Sequence, residues 1–185
     1  ANLAGAALVG FAVGVPVARI ADTLARFGAD NADNRGRLER WNLAGVKVWL
    51  DFAHNPEGLS GLLDIATAQR GAGRLAIILG HAGDRRDEDI RAVAQAAAKY
   101  RPDRVILKEI KGYERGREPG EVARLMRAVL VADGVAVEAI EFIADEVDAA
   151  RVLLDWAEPG DVVVLLIHEL AAKKSVAALL DQRKT

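Results

Sequence analysis

The chain has no cysteine. Disulfides and thiolate metal sites are therefore excluded, and the composition fits a reducing cytoplasm. It also lacks an excess of either charge. The 25 basic and 27 acidic side chains leave a formal net charge of −2. Nucleic acids and anionic membranes are normally met by a concentrated basic face, so neither is an expected partner. No Gly-x-x-x-x-Gly-Lys-Ser/Thr or Gly-x-Gly-x-x-Gly segment occurs, so the usual backbone cradles for a triphosphate or dinucleotide are missing. Gly71-Ala72-Gly73 precedes a strand-like run rather than a helix, the wrong order for such a loop. A Gly-x-Ser-x-Gly elbow is absent too, and the only serines, Ser60 and Ser175, fall within helical patterns. His54, Asp84 and His168 stand at no metal-ligand spacing, so no protein-held metal is expected. The longest apolar opening, Leu3 to Val17, is broken by Gly5, Gly10, Gly14 and Pro16. It has no basic flank and is too short to span a bilayer.

What is present suffices for one domain plus a fragment. Hydrophobic residues make up 51% of 185 and charged residues 28%, enough for a core and a solvated surface. The chain opens at Ala1 rather than Met and reads as an excised piece. Residues 1–27 are helical in pattern, with a break at Gly14-Val15-Pro16 and an apolar stripe of Val17, Ile20, Leu24 and Phe27. Polar, turn-forming residues 28–36 read as a linker, with a domain boundary near Asp33 that separates residues 1–33 from 34–185. A predicted hairpin (37–43 and 46–52) follows. After it come helix 57–69, strand 74–80, helix 88–100, strand 104–110, helix 119–132, strand 136–143, helix 145–157, strand 161–167 and helix 169–181. Repeated strand–helix units predict an α/β fold. Its mostly parallel sheet of about six strands has helices on both faces and one antiparallel strand at an end.

Ligands of such open sheets sit beyond the carboxyl ends of the strands. Those ends carry Asp51-Phe52-Ala53-His54-Asn55, His81-Ala82-Gly83-Asp84-Arg85-Arg86, Lys111 to Glu118, and His168-Glu169. All three histidines fall there, which favours a binding site over an ordinary polar surface.

Two of these segments are recognisable. Asn34-Arg35-Gly36-Arg37-Leu38-Glu39, followed by Asp51-Phe52-Ala53-His54-Asn55-Pro56, resembles the hinge and first central strand of the C-terminal domain of the Mur ligase superfamily. Arg35 stands where proline is usual and Phe52 where tyrosine is usual; neither change removes a reacting group. Residues 1–27 resemble the end of that superfamily's central ATPase domain. Gly83 to Ile90 and Arg115 to Val122 are most similar to its cyanophycin synthetase branch. His168-Glu169 resembles the late Gly-His-Glu of the peptidoglycan ligases, and folylpolyglutamate synthetase is a more distant likeness. The resemblance implies a Rossmann-like domain of an ATP-dependent amide ligase that works through an acyl phosphate. ATP and Mg2+ would be held mainly by the central domain. An amino acid and an acidic peptide acceptor would be the partners, and a homo-oligomer is compatible. It further implies that Arg37 meets the nucleotide phosphates as a catalytic group. Asp51 would meet the ribose, with His54 and Asn55 shaping the loop beside it. Asp84, Arg85, Arg86, Arg115, Arg117, His168 and Glu169 would line the amine and acceptor side.

Two readings of other classes remain at this point: a non-catalytic flavodoxin-like binding domain, and an interaction module that uses the stripe from Val17 to Phe27. A chain without a phosphate loop should turn over no ATP alone. Incubation of the purified chain with ATP, magnesium and amino acids is expected to release no ADP; steady release would contradict the expectation that the isolated chain is inactive.

Overall fold

The computed structural model describes residues 2–28 and 35–184, so the expected boundary near Asp33 lies outside the described residues. The chain divides into two compact units, Ala1–Arg35 and Gly36–Thr185. The first holds helices α1 (Asn2–Ala12) and α2 (Val17–Arg26). Proline precedes the first turn of α2, where its missing N–H costs nothing. Leu8, Phe11, Val17, Leu24 and Phe27 are exposed, since two helices alone cannot cover an apolar face.

The second unit is one six-stranded sheet. Its strands are β1 (Glu39–Leu43), β2 (Val46–Asp51), β3 (Leu75–Leu79), β4 (Arg104–Leu107), β5 (Ile140–Phe142) and β6 (Val162–Leu166). Their order across the sheet is β1-β2-β6-β3-β4-β5. β1 pairs antiparallel with β2 through the Ala44-Gly45 turn, and every other pairing is parallel. Helices α3 (Pro56–Thr67), α4 (Asp87–Ala98) and α5 (Glu121–Ala132) cover one face; α6 (Glu146–Trp156) and α7 (Leu170–Gln182) cover the other. The strands supply both cores by alternation. Leu75, Ile77, Leu79, Val162, Val164 and Leu166 point to one face. Ala76, Ile78, Val163, Leu165 and Ile167 point to the other.

Two strands fall short of the sequence expectation by three residues or more. The expected strand 136–143 is a single 3₁₀ turn (Val137–Ala139) followed by three paired residues. It lies at the sheet edge, where Glu141 and Phe142 are exposed and nothing beyond them rewards further pairing. The expected strand 104–110 ends at Leu107, because its partner β5 runs out and Lys108 turns inward.

At the amino end of the strands Asp161 acts as a clamp. Its carboxylate accepts from the Arg74 and Glu158 backbone N–H groups and from the Arg74 guanidinium, which stacks 4.0 Å over Trp156. At the other end the topology reverses. The chain passes from β2 to β3 and on to β5, then returns to insert β6 between β2 and β3. The crevice of such a sheet lies at that reversal.

A central position should therefore cost far more than an edge one. Leu165→Ala in β6 is expected to destabilise by about 2–5 kcal/mol. Phe142→Ala on edge strand β5 should cost under about 1 kcal/mol. Urea denaturation of both variants checks the difference.

Candidate functional site

A cleft of about 220 Å³ opens at the reversal point. Phe52 and His54 reach it from the loop after β2, and Gly80, His81, Ala82, Asp84 and Arg85 from the loop after β3. Ile110 and Tyr113 come from beyond β4, and His168 from beyond β6. All three histidines of the chain thus converge. Phe52 organises two of the rings edge to face, His54 at 5.3 Å and His168 at 4.9 Å between centroids. The Arg37 guanidinium and the Lys173 ammonium each lie 4.9 Å from the centroid of the same Phe52 ring. Burial, then the charge of Arg37, pulls the Lys173 pKa down.

His81 is buried, and its Nε2 donates to the His54 carbonyl at 2.9 Å, because that oxygen can only accept. Burial lowers its pKa. Behind the cleft lies a buried charged group. Lys108, 1% exposed at the end of β4, bonds through Nζ to the Glu146 carboxylate and lies 2.6 Å from His168 Nδ1. Glu146, 3% exposed in the first turn of α6, also accepts from the backbone N–H groups of His168 and Glu169, at 2.9 and 3.0 Å. Burial brings the Lys108 pKa down to about 8 even beside that carboxylate. The His168 pKa lies well below its ordinary value, first through burial and then through the Lys108 charge.

The sequence-derived candidates separate into two groups. His54, Asp84, Arg85 and His168 line the cleft. Arg115 stands at its margin, 3.8 Å from Asp84 and stacked 4.8 Å over Tyr113. Glu169 is half-buried at the amino end of α7. The others have protein duties. Asp51, 6% exposed, accepts from the Leu38 and Ala53 N–H groups, both at 2.7 Å, and so shapes the turn before β1. Asn55 caps α3 through Gly58 N–H. Arg86 makes a forked pair with Asp89 on the surface. Arg117 is a staple: it donates to the carbonyls of Gly83 and Arg85 and to the carboxylates of Asp87 and Glu121, all at 2.8 Å. Arg117 is expected to hold substrate, and in the structure these partners occupy both edges of its fork. Sequence reasoning did not single out Lys108 or Glu146. The only signal was a lysine closing an apolar run, which elsewhere marks an ordinary strand end. Among the described residues no group of three or more His, Asp or Glu side chains is arranged to hold a metal ion. Likewise no helix is long and apolar enough to cross a membrane.

The model of the family described as "Mur ligase, glutamate ligase domain" matches residues 36–166, the whole span from the hinge turn to the end of β6. The chain belongs to the Mur ligase family. It is 34% identical over 165 residues to cyanophycin synthetase of Crocosphaera subtropica, covering 89% of this chain and 18% of that relative. The chain therefore spans less than a fifth of that protein's length. Its fold matches a murein peptide ligase from Psychrobacter arcticus, with a TM-score of 0.67 and 20% identity, over 100% of this chain and 36% of that one. It also matches a bifunctional folylpolyglutamate synthase/dihydrofolate synthase from Yersinia pestis solved with AMPPNP and a manganese ion. There the TM-score is 0.56 and the identity 24%, over 78% of this chain and 31% of that one.

The two buried histidines of this Mur ligase domain set an acid sensitivity. Both native pKa values lie below the ordinary 6.5. Below that pH the unfolded chain takes up protons that the native state refuses, so stability falls as pH drops through about 6.5. The urea midpoint is expected to decline from pH 7 to pH 5, and His168→Gln should flatten that decline. An identical slope in the variant would contradict the assignment.

Proposed function

We propose that this chain closes over the nucleotide-bearing central domain of an ATP-dependent amide ligase of the cyanophycin synthetase kind and presents the incoming amino acid to an acyl phosphate. The single observation carrying this proposal is the mixed-charge cleft at the reversal point. An amino acid such as arginine needs a cation for its α-carboxylate and an acid for its guanidinium. Arg85 and Arg115 offer the first and Asp84 the second, grouped at one rim. The 34% identity to a cyanophycin synthetase supports the same branch.

In this scheme an acceptor carboxylate oxygen attacks the γ-phosphorus of ATP and ADP leaves. The amine then attacks the acyl carbon, a tetrahedral intermediate forms, and it expels phosphate while the nitrogen loses its proton. Positioning and charge neutralisation dominate such chemistry. Arg37 and Lys173, on the Phe52 ring, suit phosphate oxygens arriving from outside the domain. A divalent metal would neutralise phosphate charge from ligands in the central domain; this chain offers no cluster of carboxylates for it among the described residues. Asp51 acts through the hinge turn, and His54 and Glu169 border the amine's path. Closure keeps water from the acyl phosphate, which would otherwise hydrolyse. Such a ligase draws on cytoplasmic ATP.

In the full-length protein, Arg85→Ala and Arg115→Ala are each expected to raise the KM for arginine about tenfold, the loss of one charge-assisted hydrogen bond. The KM for ATP should change little. Arg117→Ala should instead lower the melting temperature. Equal small effects on both substrates would remove the proposed amino-acid site, and a preference for diaminopimelate or lysine would reject the cyanophycin branch while leaving the ligase class standing.

A further inference from the structure

We propose that the buried Lys108 ammonium fixes His168 as a neutral imidazole carrying its proton on Nε2. The cleft thereby gains one preset hydrogen-bond donor, with Lys108 and Glu146 as its positioning residues.

The argument begins with donors and acceptors. An ammonium has three N–H donors and no acceptor. Lys108 Nζ contacts the Glu146 carboxylate, which holds it charged. It also lies 2.6 Å from His168 Nδ1, so that nitrogen must accept. A neutral imidazole that accepts at Nδ1 carries its proton at Nε2. The charged form of His168 would set a second cation against the first in a site from which water is excluded.

Geometry makes this arrangement hard to leave. The Lys108 stem runs against Gly80, where a Cβ would lie 2.8 Å from its Cδ and Cε and 2.6 Å from its carbonyl oxygen. No other residue at position 80 leaves room for the lysine to reach inward. Glu146 holds the other side. Besides the ammonium, its two oxygens take the backbone N–H groups of His168 and Glu169, so the same carboxylate aims the ring and neutralises the lysine. Phe52 packs edge-on at 4.9 Å and limits rotation of the imidazole.

The charged and titratable groups facing this centre come from every surrounding element. They are His54 after β2, His81 after β3, Glu146 at the start of α6 and Glu169 before α7. The Ala53 carbonyl favours protonation of the ring but does so less than burial and Lys108 oppose it. His168 lines the cleft, and its Nε2 is buried with no hydrogen bond of full geometry to a protein group; the Ala53 carbonyl is the acceptor that acts on the ring. A buried donor whose hydrogen bond is incomplete is costly and gains from a ligand atom that completes it. The complementary group is an oxygen acceptor. Because the imidazole is held neutral, His168 serves as a donor and not as a proton-accepting base.

The inference does not depend on the ligase proposal, and its test separates the two. Nitrogen-15 spectra of the histidine rings in the unmodified chain should show His168 as a single tautomer with the proton on Nε2. It should stay neutral as pH falls from 7, where Lys108 is mostly charged, through the ordinary histidine value of 6.5. In the double variant Lys108→Met/Glu146→Gln, which removes both charges together, the ring should populate both tautomers and its pKa should rise. A proton on Nδ1 in the unmodified chain, titration at or above 6.5, or an unchanged tautomer in the double variant would each overturn the proposal. Should the double variant fail to fold, the unmodified chain alone decides. The full-length protein adds a further readout. His168→Ala should lower kcat/KM about tenfold or more, and His168→Gln, which keeps an N–H donor, should recover part of it. A glutamine no better than alanine would contradict the donor role.

Discussion

The buried ion pair of Lys108 and Glu146 is the constraint on which the carboxyl edge of the sheet depends. Two charges almost fully removed from water are tolerated when they are paired closely and take further hydrogen bonds. Here Lys108 is 1% and Glu146 3% exposed. The carboxylate takes the ammonium and two backbone N–H groups; the ammonium takes the carboxylate and an imidazole nitrogen. This joins the end of β4, the start of α6 and the loop from β6 to α7. Neutralising the pair by removing one member would leave the other charge stranded, a loss of about 3–5 kcal/mol. Its position in the first turn of α6 also suits Glu146, since helix amino ends favour negative charge.

The sheet explains why that pair sits where it does. Every parallel strand delivers its carboxyl end to one edge, and insertion of β6 between β2 and β3 opens a crevice there. The opposite edge is closed by Asp161 and Arg74, which bind backbone and each other. One end of the sheet is thus fastened by an ion pair. The other uses a buried pair to hold the loop after β6, beside a cleft lined by the exposed Asp84, Arg85 and His54. Arg117 completes this by tying the loop after β3 to the start of α5, so that Asp84 and Arg115 meet at a fixed rim.

Much of this could be read from the sequence. The unbroken apolar runs at 75–79 and 162–166 identify strands buried on both faces, and the alternation of both cores follows from them. The three histidines at strand ends indicated the cleft, and all of them line it. The strand expected over 136–143 failed because an apolar alternation says nothing about whether a pairing neighbour exists. Side-chain destinations were less legible still. Arg115 and Arg117 are two residues apart with the same chemistry, yet one stacks on Tyr113 at the rim and the other spends its donors on four protein groups. Lys108 gave no warning, because its burial depends on Gly80 and Glu146, which lie far from it in sequence.

Native-state amide hydrogen exchange tests the central role of Glu146 most directly. The amides of His168 and Glu169 lie in a loop and outside any sheet pairing, so their protection would come from the Glu146 carboxylate. Both should exchange far more slowly than loop amides without partners, and Glu146→Gln should abolish most of that protection while the β6 amides remain slow. Fast exchange at His168 and Glu169 in the unmodified chain would contradict the claim that this buried carboxylate holds the carboxyl edge of the sheet together.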